Sequence, residues 1–369
     1  MPEHDSTVTT VKAVGEARAT RARTVEGVPT ALSLFSGGGG LDLGFEQAGF
    51  RILAATDNDP CAARTYTRNW PKTPFILADV RTITIEQITS AMRGRRPDVV
   101  FGGPPCQGFS TLGDRLSADP RNVLVDSFIR VVVALRPQAV IIENVRAIAT
   151  EYQGRYKDYI VRRLTEAGYN VSFDVLNAAD YGVPQHRRRA FFVGFADPRA
   201  TFQFPNATHG PGLTPYKTVG DAILDLAGRG PEVPNHLPLR HSERVVQRYR
   251  LIPEGGMLPH PSLLPEEIRR KNFGSTYKRL HRGTPSLTIV PGNNALPVHP
   301  TLDRSLTPRE AARLQTFPDG HVFEGDRRKQ CILVGNAVPP LLMRIPTIAA
   351  SDSDRNQPSV PSEASRAFR

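Results

Sequence analysis

Cys106 stands in the stretch "FGGPPCQGFS", residues 101–110, behind two prolines and between glycines. Pro104 and Pro105 fix φ and carry no backbone N–H, so neither a helix nor a central strand continues through them. Gly102, Gly103 and Gly108 let the backbone bend or come close to a ligand. The preceding "DVVFGG" reads as a short buried strand. Cys106 is therefore expected on a shaped loop at a strand end, where open α/β sheets gather ligand and catalytic residues. A thiolate there can act as a nucleophile; a buried structural cysteine is the other reading.

A second group is "LFSGGGGLDLGF", which reads as strand, glycine loop and helix. Such a loop turns backbone N–H groups and a helix N-terminus toward a ligand. Gly37, Gly39 and Gly40 come near the dinucleotide spacing without meeting it. Asp57 ends the next strand about 20 residues on, where an acid can bind ribose hydroxyls. Asp79 ends the third strand. Two carboxylates at adjacent strand ends suit an adenosine ligand that carries little negative charge. A pyrophosphate would be less comfortable, which favours S-adenosylmethionine over a nicotinamide cofactor.

These residues need elements to hold them. "ALSLF", "RILAATD", "PFILADV", "PDVVFGG", "QAVIIENV", "VSFDVLNA" and "RAFFVGF" read as strands. Helices are expected at "LDLGFEQAGF", ended by Gly49, at "VLVDSFIRVVVALRP", stopped by Pro137, and at "YIVRRLTEAGY". The alternation predicts an α/β fold with a mostly parallel, doubly wound sheet. After Ala196 prolines and glycines become frequent and periodicity weakens. Basic residues cluster there, among them Arg240, Arg244, Arg248, Arg250, Arg269, Arg270, Lys278, Arg279 and Arg282. "LTPREAARLQTFPD" restores a helix, with Thr307 as N-cap and Glu310 completing a capping box. Residues 1–29 and 346–369 read as polar tails.

The chain has 369 residues, 47 Lys+Arg against 36 Asp+Glu, and a formal net charge of +11. Such an excess points to a polyanionic partner. Three separated cysteines, Cys61, Cys106 and Cys331, make neither a disulfide framework nor a zinc pattern and fit a reducing cytoplasm. No apolar run is long enough to span a membrane, and the N-terminus lacks a signal-peptide pattern.

Six stretches in order then carry a family resemblance: "FSGGGG", "GGPPCQGFS", "ENV", "QHRRR", "RSLTPREAARLQTFPD" and "GNAVPP". Over about residues 31–345 the chain resembles the DNA (cytosine-5)-methyltransferases of bacterial restriction-modification systems. The resemblance implies a Rossmann-like S-adenosylmethionine-dependent methyltransferase domain with a smaller, loop-rich target-recognition domain. It divides the chain into a catalytic and cofactor-binding domain (30–195), a recognition domain (196–330) and a return segment (331–345), between a flexible tail (1–29) and a disordered one (346–369). It implies double-stranded DNA as partner and methylation of carbon 5 of cytosine within a specific sequence. It also implies a separately acting cognate restriction endonuclease, a monomer, no metal, no membrane, and a cytoplasmic, nucleoid-associated enzyme.

The chemistry explains the residue types. Carbon 5 of cytosine is a poor nucleophile until a thiolate adds to carbon 6, and the resemblance gives that role to Cys106. Glu143 would hold ring N3 and the amino group. Arg189 would reach the cytosine carbonyl oxygen, and Arg187 would brace the carboxylate or the backbone, the two arginines being expected on opposite faces of a late strand. The Pro104 carbonyl would accept from the cytosine amino group, and Gln107, Ser110, Lys278 and Arg279 would also contact the substrate. Phe35, Gly37, Gly39, Gly40, Asp57, Asn58, Asp79, Val80, Pro105, Leu124, Asn336 and Val338 would line the cofactor. The base must leave the duplex to be reached.

The chain departs from the family pattern after "GNAVPP", where "LLMRI" runs into Pro346 instead of continuing as an amphipathic helix. Two rival readings share much of the pattern: a transfer RNA cytosine-5 methyltransferase, whose recognition signature is not found here, and a catalytically impaired DNA-binding relative.

Overall fold

The computed structural model describes residues 27–105, 122–270, 275–291 and 296–343. Seven strands form one sheet: β1 (Thr30–Leu34), β2 (Arg51–Asp57), β3 (Phe75–Leu77), β4 (Val99–Gly102), β5 (Ala139–Val145), β6 (Asn170–Asn177) and β7 (Arg188–Phe195). Their spatial order is β3-β2-β1-β4-β5-β7-β6. The first five are mutually parallel, and β7 runs antiparallel to both β5 and β6. All seven correspond to strands read from the sequence.

The helices are α1 (Gly40–Gln47), α2 (Pro60–Asn69), α3 (Ile85–Ala91), α4 (Asn122–Leu135), α5 (Arg155–Glu166), α6 (Val219–Ile223), α7 (Glu243–Arg250), α8 (Pro308–Leu314) and α9 (Arg327–Asn336). Five of these, α2, α3, α6, α7 and α9, were not read from the sequence, although α2 and α3 carry start signals. Asp59 caps α2 by accepting from the Cys61 amide at 2.7 Å, with Pro60 in the first turn. Thr84 and Gln87 close a capping box on α3. At α8 the expected box is present: Glu310 N donates to Thr307 Oγ1 at 3.1 Å, and Thr307 N to Glu310 at 2.8 Å.

The central strands are apolar on both faces because helices cover both. Side-chain alternation divides them. Leu32, Leu34, Val100, Val140 and Ile142 face α3, α4 and α5 in one cluster. Ala31, Val99, Phe101, Ala139 and Ile141 face α1 and the chain around Leu342 and Met343 in another. Phe45 of α1 stacks on Phe101 with centroids 3.9 Å apart. Burying each such large side chain contributes roughly 1.5–3 kcal/mol.

Beyond Phe195 no further strand forms among the described residues. Two small apolar clusters organise this part. One joins Tyr249, Ile252, Leu258, Leu264, Ile268, Tyr277 and Val298. The other joins α6, α8 and α9 to Cys61 and Ala62 of α2. The domain boundary expected at 330 falls inside α9, a continuous helix that Asp326 caps by accepting from the Lys329 amide at 2.8 Å.

Candidate active site

The carboxyl ends of the five parallel strands bring Phe35, Asp57, Asp79, Pro104 and Glu143 to one edge of the sheet. Ligand crevices of open α/β sheets lie on this side. At its centre is Glu143, buried at the end of β5 with 8% exposure. Arg189 of β7 pairs with it, Nε to Oε1 at 2.9 Å, across the antiparallel β5–β7 ladder. Burial pushes the Glu143 carboxyl up from its ordinary value, while Arg189 and then Arg187 pull it down. Gly103 lies directly over the carboxylate: a Cβ there would sit 2.9 Å from Oε2. Asn144 donates to the Pro104 carbonyl at 3.0 Å, fixing the loop that leaves β4. A carbonyl has two lone pairs, so this one can accept a second bond.

Arg187 and Arg189 do not lie on opposite faces. Residues two apart on a strand share a face, and both guanidinium charges act on Glu143. Arg187 immediately precedes β7 and is fully buried. It donates to the carbonyls of Ile289 and Gly335, each at 2.8 Å. It therefore ties the base of β7 to the 286–289 segment and to α9. Gln185 reinforces this, accepting from the Ile289 amide at 3.0 Å and donating to the Leu314 carbonyl at 3.3 Å.

A cleft of about 500 Å³ opens beside the pair, lined by Val145, Arg146, Ala147, His186, Arg188, Arg189 and Thr288. Sequence reasoning passed over His186, Arg188 and Thr288. The first two stand inside "QHRRR" and could have been found there. Thr288 carried no signal; it reaches the cleft because its hydroxyl donates to the His186 carbonyl at 2.6 Å.

The glycine loop joins β1 to α1. Phe35, Gly37 and Gly39 all have positive φ, and Gly37 has open space where a side chain would be. At Gly39 a Cβ would lie 2.5 Å from the Trp70 ring, and at Gly40 it would overlap the Val338 carbonyl. Asp57 accepts from the Gly37 amide and the Asp59 amide, both at 2.9 Å. Burial raises its carboxyl. Asp79 is placed differently. Arg81 holds its carboxylate, Nε to Oδ2 at 2.9 Å, and keeps it below its ordinary value. The two acids therefore do not present equal charge to the crevice. Asn58, Pro105 and Asn336 are exposed. Val80 and Val338 are core residues, and Leu124 packs against the core.

Of the basic cluster of the recognition segment, Arg248 and Arg279 are buried and Lys278 is half-buried, while Arg250, Arg269, Arg270 and Arg282 are exposed. Arg279, expected at the substrate, has 5% exposure. Its guanidinium donates to the carbonyls of Ile252, Tyr249, His299 and Leu302 and pairs with Asp303 at 2.7 Å. Its planar fork matches several acceptors at once, so it works as a brace and has no donor left for a phosphate. Lys278 donates to the Gly255 carbonyl. Arg248 donates to the Ile268 carbonyl and Arg282 pairs with Glu254. Arg240 and Arg244 are exposed. Cys106, Gln107 and Ser110 lie outside the described residues, as does the departure at Pro346. Cys61 and Cys331 are buried free thiols.

A twisted sheet with this strand order, a glycine loop at β1 and a buried carboxylate–arginine pair at β5 define a Rossmann-like transferase of the methylating kind. The family model of C-5 cytosine-specific DNA methylases matches residues 30–348, and the chain belongs to that family. It is a DNA cytosine-5-methyltransferase of the bacterial restriction-modification type. It is 38% identical over 321 residues to Type II methyltransferase M1.HphI of Haemophilus parahaemolyticus, covering 85% of this chain and 84% of that one. It is 33% identical over 364 residues to Type II methyltransferase M.DdeI of Desulfomicrobium norvegicum, covering 84% and 86%. A solved structure described as a DNA modification methyltransferase encoded within an E. coli prophage superposes with a TM-score of 0.71. That match has 26% identity and covers 88% of this chain and 99% of that one.

Proposed function

We propose that the protein methylates carbon 5 of cytosine within a specific duplex sequence, using S-adenosylmethionine, by turning the base out and adding Cys106 to carbon 6. The observation that carries this reading is the buried Glu143–Arg189 pair beneath Gly103, beside the Pro104 carbonyl. A carboxyl raised by burial can carry a proton to ring N3, which makes carbon 6 more electrophilic. Arg189 keeps Glu143 oriented and supports a developing charge on the cytosine carbonyl. Pro104 offers a carbonyl to the amino group. Cys106 adds as thiolate, carbon 5 becomes enamine-like, and Cys106 leaves as the carbon 5 proton is lost.

The glycine loop fits the cofactor. Gly37 leaves open space, Asp57 keeps free lone pairs for ribose hydroxyls, and no cation among the described residues pairs with it. When bound there, S-adenosylmethionine supplies an electrophilic methyl group. Asn58, Asn336 and Val338 line the same cofactor, the Val338 carbonyl lying against Gly40 of the loop. Residues 196–330 choose the target sequence, and a cognate nuclease acts separately on the same site. The enzyme works as a monomer in the cytoplasm, associated with the nucleoid through DNA. Among the described residues no helix is long and apolar enough to cross a membrane.

The test is a duplex carrying 5-fluorocytosine at the target, because fluorine cannot leave as a proton does. A covalent complex is expected that needs both the cofactor and Cys106. No complex, or an adduct mapped to Cys61 or Cys331, overturns the reading. Methyl transfer to transfer RNA in place of duplex DNA overturns the substrate.

A further inference from the structure

His321 takes no part in the reaction as described, yet its ring meets the glycine loop. It has 4% exposure, and its Nε2 lies 2.9 Å from the carbonyl oxygen of Gly38, which is buried too. A carbonyl only accepts, so Nε2 carries the hydrogen and donates it. Three aromatic rings enclose the imidazole: Phe317 and Phe323 with centroids 4.8 Å away, and Trp70 at 5.4 Å. Burial pushes the imidazole down to about 3, so the ring is neutral at ordinary pH and the Gly38 carbonyl selects its tautomer.

The backbone around His321 is clamped from three places in the chain. Arg309 of α8, fully buried, donates to the Pro318 carbonyl at 2.9 Å and to the carbonyl of His321 itself. Asn235 takes the Phe323 amide at 2.9 Å and donates to the Phe323 carbonyl at 2.8 Å. Asn69 of α2 treats Val322 in the same way, at 2.9 Å and 2.8 Å. The turn 318–323 is a bracket, and His321 is the side chain that it extends to the carbonyl of Gly38.

What His321 holds is the peptide unit between Gly38 and Gly39. The other end of that unit is pinned as well, because the Gly39 amide donates to the Ser36 carbonyl at 2.8 Å. A peptide unit is planar, so one bond at each end fixes its rotation. The residues on either side do not fix it: Gly37 and Gly39 have φ of 53° and 79°, and glycine is the least restricted residue. Phe35, at φ 58°, lies in a region that bulky residues seldom enter, so the chain does not favour this loop shape unaided. The loop in turn sets Asp57, which accepts from the Gly37 amide at 2.9 Å.

We propose that His321 is a positioning residue for the cofactor: by donating to the Gly38 carbonyl it keeps the 38–39 peptide from flipping and preforms the loop that receives S-adenosylmethionine. The proposal rests on the reading that this loop binds S-adenosylmethionine. A loop already in its bound shape loses less entropy on binding, so the effect falls on affinity and not on methyl transfer once the site is full.

The experiment is calorimetric titration of S-adenosylmethionine into the full chain, with steady-state methyl transfer to unmethylated genomic DNA beside it. His321→Phe keeps an aromatic ring in the cage and removes the donor; Kd and the KM for S-adenosylmethionine should rise about tenfold, with kcat nearly unchanged, because a buried carbonyl loses its partner. His321→Gln returns an N–H at about the reach of Nε2 and should restore affinity to within about threefold of the native protein. His321→Leu carries the test if His321→Phe does not fold. A donorless variant that binds as the native protein does overturns the proposal and leaves the cofactor reading standing. So does a His321→Gln no better than His321→Phe, which would make the ring packing and not the bond responsible, or a fall in kcat with KM unchanged. No binding by the native protein overturns the cofactor reading itself, and this proposal with it.

Discussion

Gly103 and Glu143 show how strictly single atoms are placed. A side chain at 103 would lie 2.9 Å from the carboxylate, so only glycine lets the loop close over it. The cysteine that this loop leads to is expected to carry the covalent step alone. Cys106→Ala should abolish methyl transfer while duplex binding survives, because binding energy comes largely from phosphates. Radiolabelled methyl transfer and a gel-shift assay check this, and more than trace turnover removes Cys106 as nucleophile. Arg279 leads to a different expectation. Its partners are four carbonyls and Asp303, all within the protein. Arg279→Ala leaves those acceptors unpaired and should cost about 3–5 kcal/mol of stability. A phosphate contact would instead lower the salt slope of DNA binding by about one unit. Urea unfolding and salt titration together distinguish the two, and a lowered slope with unchanged stability contradicts the brace.

At the scale of elements, the cofactor loop is closed from the far end of the chain. α9 ends at Asn336, and the Val338 carbonyl then lies against Gly40 so closely that no Cβ fits between them. Gly40→Ala must push α1 and the 336–338 segment apart. Overpacking of this kind costs about 1–3 kcal/mol. The expected result is a lower melting temperature together with cofactor binding weakened about tenfold, since a displacement worth 1.4 kcal/mol is tenfold in Kd. A Tm shift with unchanged cofactor affinity would show that this contact is packing alone. Arg187 performs a related task, joining β7, the 286–289 segment and α9 through two carbonyls.

For the whole molecule, residues 196–330 should decide which sequence is methylated, and the sheet edge should decide the chemistry. Exchanging about residues 196–300 for the same segment of an enzyme with a known target, then mapping methylated sites, checks the division. The exchange must preserve the contacts of Gln185 and Arg187 with Ile289, which cross the proposed border. The chimera should take the donor's specificity with S-adenosylmethionine affinity unchanged. An active chimera that still marks the original site contradicts the proposed division.

All seven strands were legible, most of them because buried strands are near-continuous apolar runs bounded by turns. The loop that follows β4 and the glycine loop could be placed from their residue types, whereas Glu143 entered only through the family resemblance. α2 and α3 were not legible, since short helices with polar faces carry a weak period and only their caps announce them. The fate of each charge was also hidden. Arg240 and Arg279 look alike in sequence, yet one is exposed and the other is an internal brace. Asp57 and Asp79 look alike at their strand ends, yet Arg81 occupies one and, among the described residues, backbone amides meet the other. The sequence by itself determined the sheet, through its apolar runs, and the reaction class, through six motifs whose order resembles one family. Only the tertiary structure decided which basic groups remain free and which segments Arg187 joins. Those outcomes depend on partners up to 148 residues away, and distances through space are not written in the order of the chain.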